Sequence, residues 1–172
     1  MVTIISASNR LGNYTSLFAK KCEELFKEKG VEVQLLELDS LPKEVALQSV
    51  YEYDTSVFAD YAKKYFKNVD KFLFIIPEYN GSFPGILKLF IDAIHPRNYE
   101  GKKAALIGVS AGRAGNLRGM DHLTDILHYL QVTVMPHKLP VSQLNKLVDG
   151  EKIIDKVTLE LLETQVQKLI EF

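Results

Sequence analysis

Phe72-Leu73-Phe74-Ile75-Ile76-Pro77-Glu78-Tyr79-Asn80-Gly81-Ser82-Phe83-Pro84-Gly85 reads as a strand, a turn and the approach to a helix. Phe72 to Ile76 is apolar at every position, so neither face of this strand meets water. That is the pattern of a parallel sheet covered on both sides. Pro77 has no N–H for the ladder and closes the strand. Asn80-Gly81 and Pro84-Gly85 are turn signals. From Ile86 onward, Leu87, Phe90, Ile91 and Ile94 recur at helical spacing and leave almost no polar face.

The same unit repeats on either side. Val2 to Ser6, Val31 to Leu38 and Ala104 to Val109 are short aliphatic runs, and Val132 to Met135 is a weaker fifth. Between them lie helical stripes: Phe18, Cys22, Leu25 and Phe26, closed by Gly30; Met120, Leu123, Leu127 and Leu130; and Leu159, Leu162, Val166, Leu169 and Ile170. Leu41 to Phe66 carries Pro42, a Tyr-rich patch and then a helical spacing through Phe58, Ala62 and Phe66. Alternating strands and helices predict right-handed βαβ crossovers, hence an α/β fold of three layers with helices on both faces of a parallel sheet. No linker, repeat or low-complexity tract divides residues 1–172, which are expected to form one domain.

The 172 residues are 47% hydrophobic and 25% charged, a balance that argues against extended disorder, collagen and coiled coil. The net charge of −1 lacks the basic excess of a nucleic-acid or membrane-surface binder, so neither partner is expected. Apolar runs stop well short of the ~18 residues of a membrane span, and Met1 to Ile5 has no charged leader, so a cytoplasmic address is expected. One cysteine, Cys22, can form neither an internal disulfide nor a thiolate metal pair. It is expected to be half-buried in its helix. His95, His122, His128 and His137 form no metal-ligand pattern and are expected at surfaces or caps.

In an open parallel sheet, ligands bind where the strands end at their carboxyl edge. After the first strand comes Ser6-Ala7-Ser8-Asn9-Arg10-Leu11-Gly12-Asn13-Tyr14-Thr15-Ser16, with six Ser, Thr or Asn residues and an arginine leading into a helix. Capping needs one such residue. The surplus, with the free N–H groups of a helix start, predicts a phosphate site. Gly12 stands alone, so neither a dinucleotide G-x-G-x-x-G loop nor a P-loop is present, and a terminal phosphate monoester fits better. After the third strand, Tyr79 offers a flat face, and Asn80, Gly81 and Ser82 offer polar edges for a heteroaromatic ring. After the fourth, Ser110-Ala111-Gly112-Arg113-Ala114-Gly115-Asn116-Leu117-Arg118-Gly119 holds three glycines, expected to let the backbone approach a flat ligand closely. Of four arginines, Arg10, Arg113 and Arg118 fall in loops at this one edge, which favours phosphate or carboxylate recognition.

Gly108-Val109-Ser110-Ala111-Gly112 also matches the G-x-S-x-G elbow of α/β-hydrolases, with Asp121 or Asp125 and His128 or His137 following in the right order. Arg113 to Gly119 reads as a loop and not the immediate helix that an elbow requires, so a small serine esterase is the lesser reading.

At these three loops the chain resembles the NADPH-dependent FMN reductase family, which includes quinone, azo-dye and chromate reductases. The resemblance rests on Pro77-Glu78-Tyr79-Asn80-Gly81-Ser82 with Pro84-Gly85 and Leu87-Lys88, on Ser8-x-Arg10 with Asn13 and Thr15, and on Ser110-Ala111-Gly112-Arg113-Ala114-Gly115. It implies a flavodoxin-like, doubly wound, five-stranded sheet of order 2-1-3-4-5, with FMN at the switch point between the first and third strands. By the same resemblance Ser8, Arg10, Asn13, Tyr14 and Thr15 hold the FMN phosphate. Pro77, Glu78, Tyr79, Asn80, Gly81 and Ser82 border the ring, and Ser110, Ala111, Gly112 and Arg113 flank its other edge. Ala7 stands where the family commonly has glycine, and Asn13 where it commonly has serine. Pro42 to Asp54 matches little.

The resemblance further implies a ping-pong reductase with NADPH or NADH as co-substrate and a flavin, quinone or similar small acceptor. No side chain is expected to be catalytic, because the flavin carries the chemistry. The runner-up is a flavodoxin-like one-electron carrier, a class that tends to be strongly acidic. Phe90 and Ile94 carry more apolar surface than one sheet face covers, and members of the family are typically dimers or tetramers. A second copy is therefore expected against the Ile86 to Ile94 helix and the neighbouring tyrosine turn.

Overall fold

The computed structural model describes residues 1–42 and 57–172. Its elements are β1 (Val2–Ser6), α1 (Tyr14–Glu28), β2 (Val33–Glu37), α2 (Phe58–Tyr65), β3 (Lys71–Pro77), α3 (Gly85–Ala93), β4 (Lys103–Val109), α4 (Leu117–Tyr129), β5 (Thr133–Val134), β6 (Leu139–Val141), β7 (Val148–Asp149), β8 (Lys152–Ile153) and α5 (Lys156–Glu171). The main sheet runs β2-β1-β3-β4-β5, every pair parallel, as the resemblance implied. Most of Pro42 to Asp54 lies outside the described residues.

Alternation along the strands sorts the core into two layers, because successive side chains point to opposite faces. Phe72, Phe74 and Ile76 of β3 face α2, α3 and α4, and Leu73 and Ile75 face α1 and α5. Lys71 and Lys103, side by side at the start of β3 and β4, turn their ammonium groups to the end of α5. Lys71 reaches the carbonyls of Leu169 and Ile170 at 3.0 and 2.7 Å, and Lys103 bonds to Phe172. Cations there satisfy carbonyls that the helix leaves unpaired.

Two expectations are corrected, and one strand was missed. The fifth strand lies where expected, as β5 within Val132 to Met135 at the start of β4, and the missed β6 pairs the end of β4. Pro136 separates the two. Between them the Gln165 side chain donates to the Leu106 carbonyl at 3.3 Å and to that of His137 at 3.0 Å, replacing bonds an unbroken edge would make. Cys22 is fully buried, not half-buried. Phe90 and Ile94 also have no surplus surface, since both are buried within the chain. The Phe90 ring lies 6.2 Å from Phe58, 6.4 Å from Tyr61 and 6.0 Å from Phe66, so α2 and its end supply the cover assigned to a second copy.

Candidate functional site

The loops after β1, β3 and β4 meet at one sheet edge around a cleft of about 310 Å³. Ser8, Arg10, Asn13, Tyr14, Thr15, Pro77, Glu78, Tyr79, Ser110 and Ala111 all line it, and Leu144 and Asn145 complete the wall. Asn80, Gly81, Ser82, Gly112 and Arg113 are not part of that lining.

At the β1 end, Asn13 caps α1. Its Oδ1 accepts from the Ser16 N–H at 2.9 Å, and its amide donates to the Arg10 carbonyl at 2.7 Å and towards Asp39 at 3.4 Å. The Asn13 side chain is thus committed to shaping the loop. The N–H groups of Tyr14 and Thr15, in the first turn, have no acceptor within the helix. Thr15 is 2% exposed, and its hydroxyl meets no hydrogen-bond partner among the described residues. The exposed Arg10 side chain likewise has no partner among them. A hydroxyl on a buried side chain, a helix start and an uncommitted guanidinium converge on one wall, a donor set that fits a phosphate dianion. Ser8 is buried; its Oγ accepts from the Arg10 N–H at 3.2 Å and lies 3.1 Å from the Tyr79 hydroxyl.

Beyond β3 the chain makes a tight hairpin. Tyr79 and Ser82 exchange two backbone bonds, 2.9 and 3.1 Å, and Asn80 and Gly81 stand at φ 52° and 78°. This left-handed pair is why Asn-Gly occupies the turn. Asn116 fixes the base of the loop. It is fully buried in a left-handed conformation and donates from its amide to the carbonyls of Ile76 at 3.1 Å and Pro77 at 2.9 Å.

The glycines at the end of β4 and after it serve packing at three of four positions. A Cβ on Gly108 would stand 2.2 Å from the Gly115 carbonyl, one on Gly115 2.6 Å from Pro140, and one on Gly119 2.2 Å from Asn116 Oδ1. These glycines let the β4–α4 loop pack closely on the sheet and on itself. Gly112 is the open one, with only Ser110 Oγ near its Cβ position, at 3.8 Å. Ser110 is also more engaged than expected. Its N–H donates to the Val141 carbonyl at 2.9 Å, its hydroxyl to the Gly112 carbonyl at 3.2 Å, and its carbonyl accepts from Leu144 at 3.1 Å. Among the described residues His137 is held by Gln165 at 2.7 Å rather than by Ser110, and Asp121 is paired with Lys138 at 2.6 Å. The elbow reading finds no assembled triad.

Leu144 and Asn145 were missed because β6 brings them in. Residues 142–147 carry no motif, and only the pairing of Val109 with Val141 places them beside Ser110. Among the described residues, no group of three His, Cys, Asp or Glu side chains could hold a metal, and no helix is long and apolar enough to cross a membrane.

Residues 1–146 match the NADPH-dependent FMN reductase family. The chain is 31% identical over 170 residues to an NAD(P)H-dependent FMN reductase of Pseudomonas aeruginosa, covering 96% of this chain and 90% of that one. It is 30% identical over 124 residues to a 2-hydroxy-1,4-benzoquinone reductase of a Burkholderia species, covering 69% and 68%. Among solved structures, the flavoenzyme NAD(P)H:(acceptor) oxidoreductase of Paracoccus denitrificans shares the fold at a TM-score of 0.77. The identity there is 23%, over 99% of this chain and 94% of that one.

Proposed function

The chain belongs to the NADPH-dependent FMN reductase family, and on that premise we propose that it oxidises NADPH or NADH by a ping-pong sequence, with free flavin, a quinone or a similar small molecule as acceptor. The observation that carries the site assignment is that the hydroxyl of buried Thr15, which lines the same cleft as Arg10 at the start of α1, has no partner among the described residues. It explains why the sequence places more polar groups there than capping uses.

When bound, FMN supplies a ring that takes two electrons from the reduced nicotinamide and yields them to the acceptor. The chain's own residues bind and orient. Arg10, the Ser8 and Thr15 hydroxyls and the N–H groups of Tyr14 and Thr15 hold the phosphate. Pro77 to Ser82 border the ring, with Tyr79 tied to Ser8. Asn13 acts through the cap, and Ser110 braces its turn, from which the N–H groups of Ala111 and Gly112 would meet the far ring edge. Fixed donors there would stabilise negative charge on a reduced ring. No side chain needs to act as a general acid, because the open cleft lets the acceptor take its proton from water. One open cleft, visited first by donor and then by acceptor, suits the ping-pong order. The names of the Pseudomonas and Burkholderia relatives, a flavin and a quinone reductase, support the acceptor class.

The proposal extends to a cytosolic enzyme in which residues 1–172 form one flavin-binding unit, and to assembly as a homodimer or tetramer. What supports assembly is a groove of about 450 Å³ between α3 and α4, where Ile126, Leu130 and the 87% exposed Tyr129 stand among Lys88, Asp92 and Asp125. Steady-state oxidation of NADPH by the FMN-loaded protein, with a quinone varied, tests the activity. Parallel double-reciprocal lines are expected. Bound flavin with negligible turnover of both NADPH and NADH would favour the one-electron carrier.

A further inference from the structure

We propose that Arg118, which shares a face of α4 with His122, recognises a phosphate group of the nicotinamide donor and so sets which hydride donors the protein accepts. This rests on the reductase reading above and names a specificity-determining residue within it. Arg118 and His122 are one turn apart on α4 and therefore share a face. His122 Nδ1 lies 2.9 Å from Ser82 Oγ, which ties that face to the Tyr79–Ser82 hairpin. Arg118 spreads over the same turn: its Nη1 stands 4.0 Å from where a Cβ on Gly81 would be.

Arg118 is exposed and has no hydrogen bond or ion pair among the described residues. The nearest carboxylate along its helix, Asp121, is engaged by Lys138 at 2.6 Å. Many of the lysines are spent: Lys20, Lys21, Lys27, Lys29 and Lys88 each pair with a carboxylate. An uncommitted guanidinium held beside a rigid turn is suited to a bidentate oxyanion.

Its position says which oxyanion. Arg118 is not part of the cleft lining, where Arg10 and the start of α1 already answer the flavin's own phosphate. It stands on the solvent side of the ring-bordering hairpin, where a second molecule must arrive. NADPH and NADH carry phosphate there in every turnover; a quinone carries none. An anionic acceptor is the alternative source of the same chemistry.

The test uses FMN-loaded protein, a neutral quinone at fixed concentration, and three donors: NADPH, NADH and 1-benzyl-1,4-dihydronicotinamide, which has no phosphate. For Arg118→Gln, kcat/KM for NADPH is expected to fall about tenfold further than for the benzyl donor, as a lost charge-assisted bond implies. A matching fall for NADH assigns the pyrophosphate, and a smaller one the 2′-phosphate; Arg118→Lys recovers part of either. Equal losses with all three donors, no loss with either nucleotide, or a loss that appears only with an anionic acceptor would overturn the proposal. Titration of NADP⁺ into both flavin-loaded proteins reads the arginine separately. A weaker Kd in the variant supports the proposal even if the wild type turns over no donor, the result that would defeat the reductase reading itself.

Discussion

The Tyr79 hydroxyl stands 3.1 Å from Ser8 Oγ, joining the β1 and β3 loops across the cleft. Tyr79 therefore does more than present a ring face; it holds the serine whose oxygen accepts the Arg10 N–H. Tyr79→Phe keeps the ring and removes the tie. FMN affinity is expected to fall by about 1 kcal/mol, the net worth of one hydrogen bond, and riboflavin affinity by less. Flavin fluorescence titration reads both; a larger loss for riboflavin would remove Tyr79 from the phosphate end.

Asn13 is a cap before it is a ligand. Asn13→Ala in flavin-free protein is expected to lower stability by about 1 kcal/mol, and Asn13→Ser to restore most of it, because serine caps nearly as well. Urea unfolding measures this. An Asn13→Ala variant of unchanged stability but weaker FMN binding would return the side chain to the phosphate.

The two outer glycines of Gly108-x-Ser110-x-Gly112 should behave oppositely. Gly108→Ala drives a Cβ against the Gly115 carbonyl, so a loss of about 1–3 kcal/mol is expected from overpacking. Gly112→Ala meets nothing closer than Ser110 Oγ at 3.8 Å and is expected to stay within about 0.5 kcal/mol of wild type. Equal sensitivity would mean that Gly112, too, is packed against backbone.

Burial pushes the Cys22 thiol up to about 12. The native protein is expected not to react with a disulfide reagent at a pH of about 8, whereas the guanidinium-unfolded chain gives one thiol. The unfolded thiol ionises near about 8.5, so the contribution to stability is complete below that pH and is lost as pH climbs towards 12. Cys22→Ala should flatten that alkaline slope; a slope unchanged by the substitution would assign it to other groups.

The parts of the fold legible in sequence were those with one dominant cause. β1, β3 and β4 are apolar at nearly every position because helices cover both faces, and a short run of that kind suits few environments besides a covered parallel sheet. The edge was hard to read because β6 is Leu139-Pro140-Val141. A proline discourages a strand assignment, yet an edge tolerates one. The site was legible where function demanded a surplus, as in the hydroxyls and amides from Ser6 to Ser16. It was misread where one residue type serves two ends. Gly115 and Gly119 answer to Pro140 and Asn116, contacts that no spacing reveals. Phe90 looked uncovered because Phe58 and Phe66 lie more than twenty residues away in sequence, although their own helical spacing offered the clue.

The central claim is that the cleft binds FMN by its phosphate at the start of α1. Isothermal titration of FMN and riboflavin into flavin-free wild type and Arg10→Ala protein tests it most directly. One FMN per chain is expected, bound more tightly than riboflavin. Arg10→Ala should weaken FMN by about 1.5–3 kcal/mol and leave riboflavin nearly indifferent. Equal affinity of the wild type for the two flavins, or equal losses for both in the variant, would contradict the account.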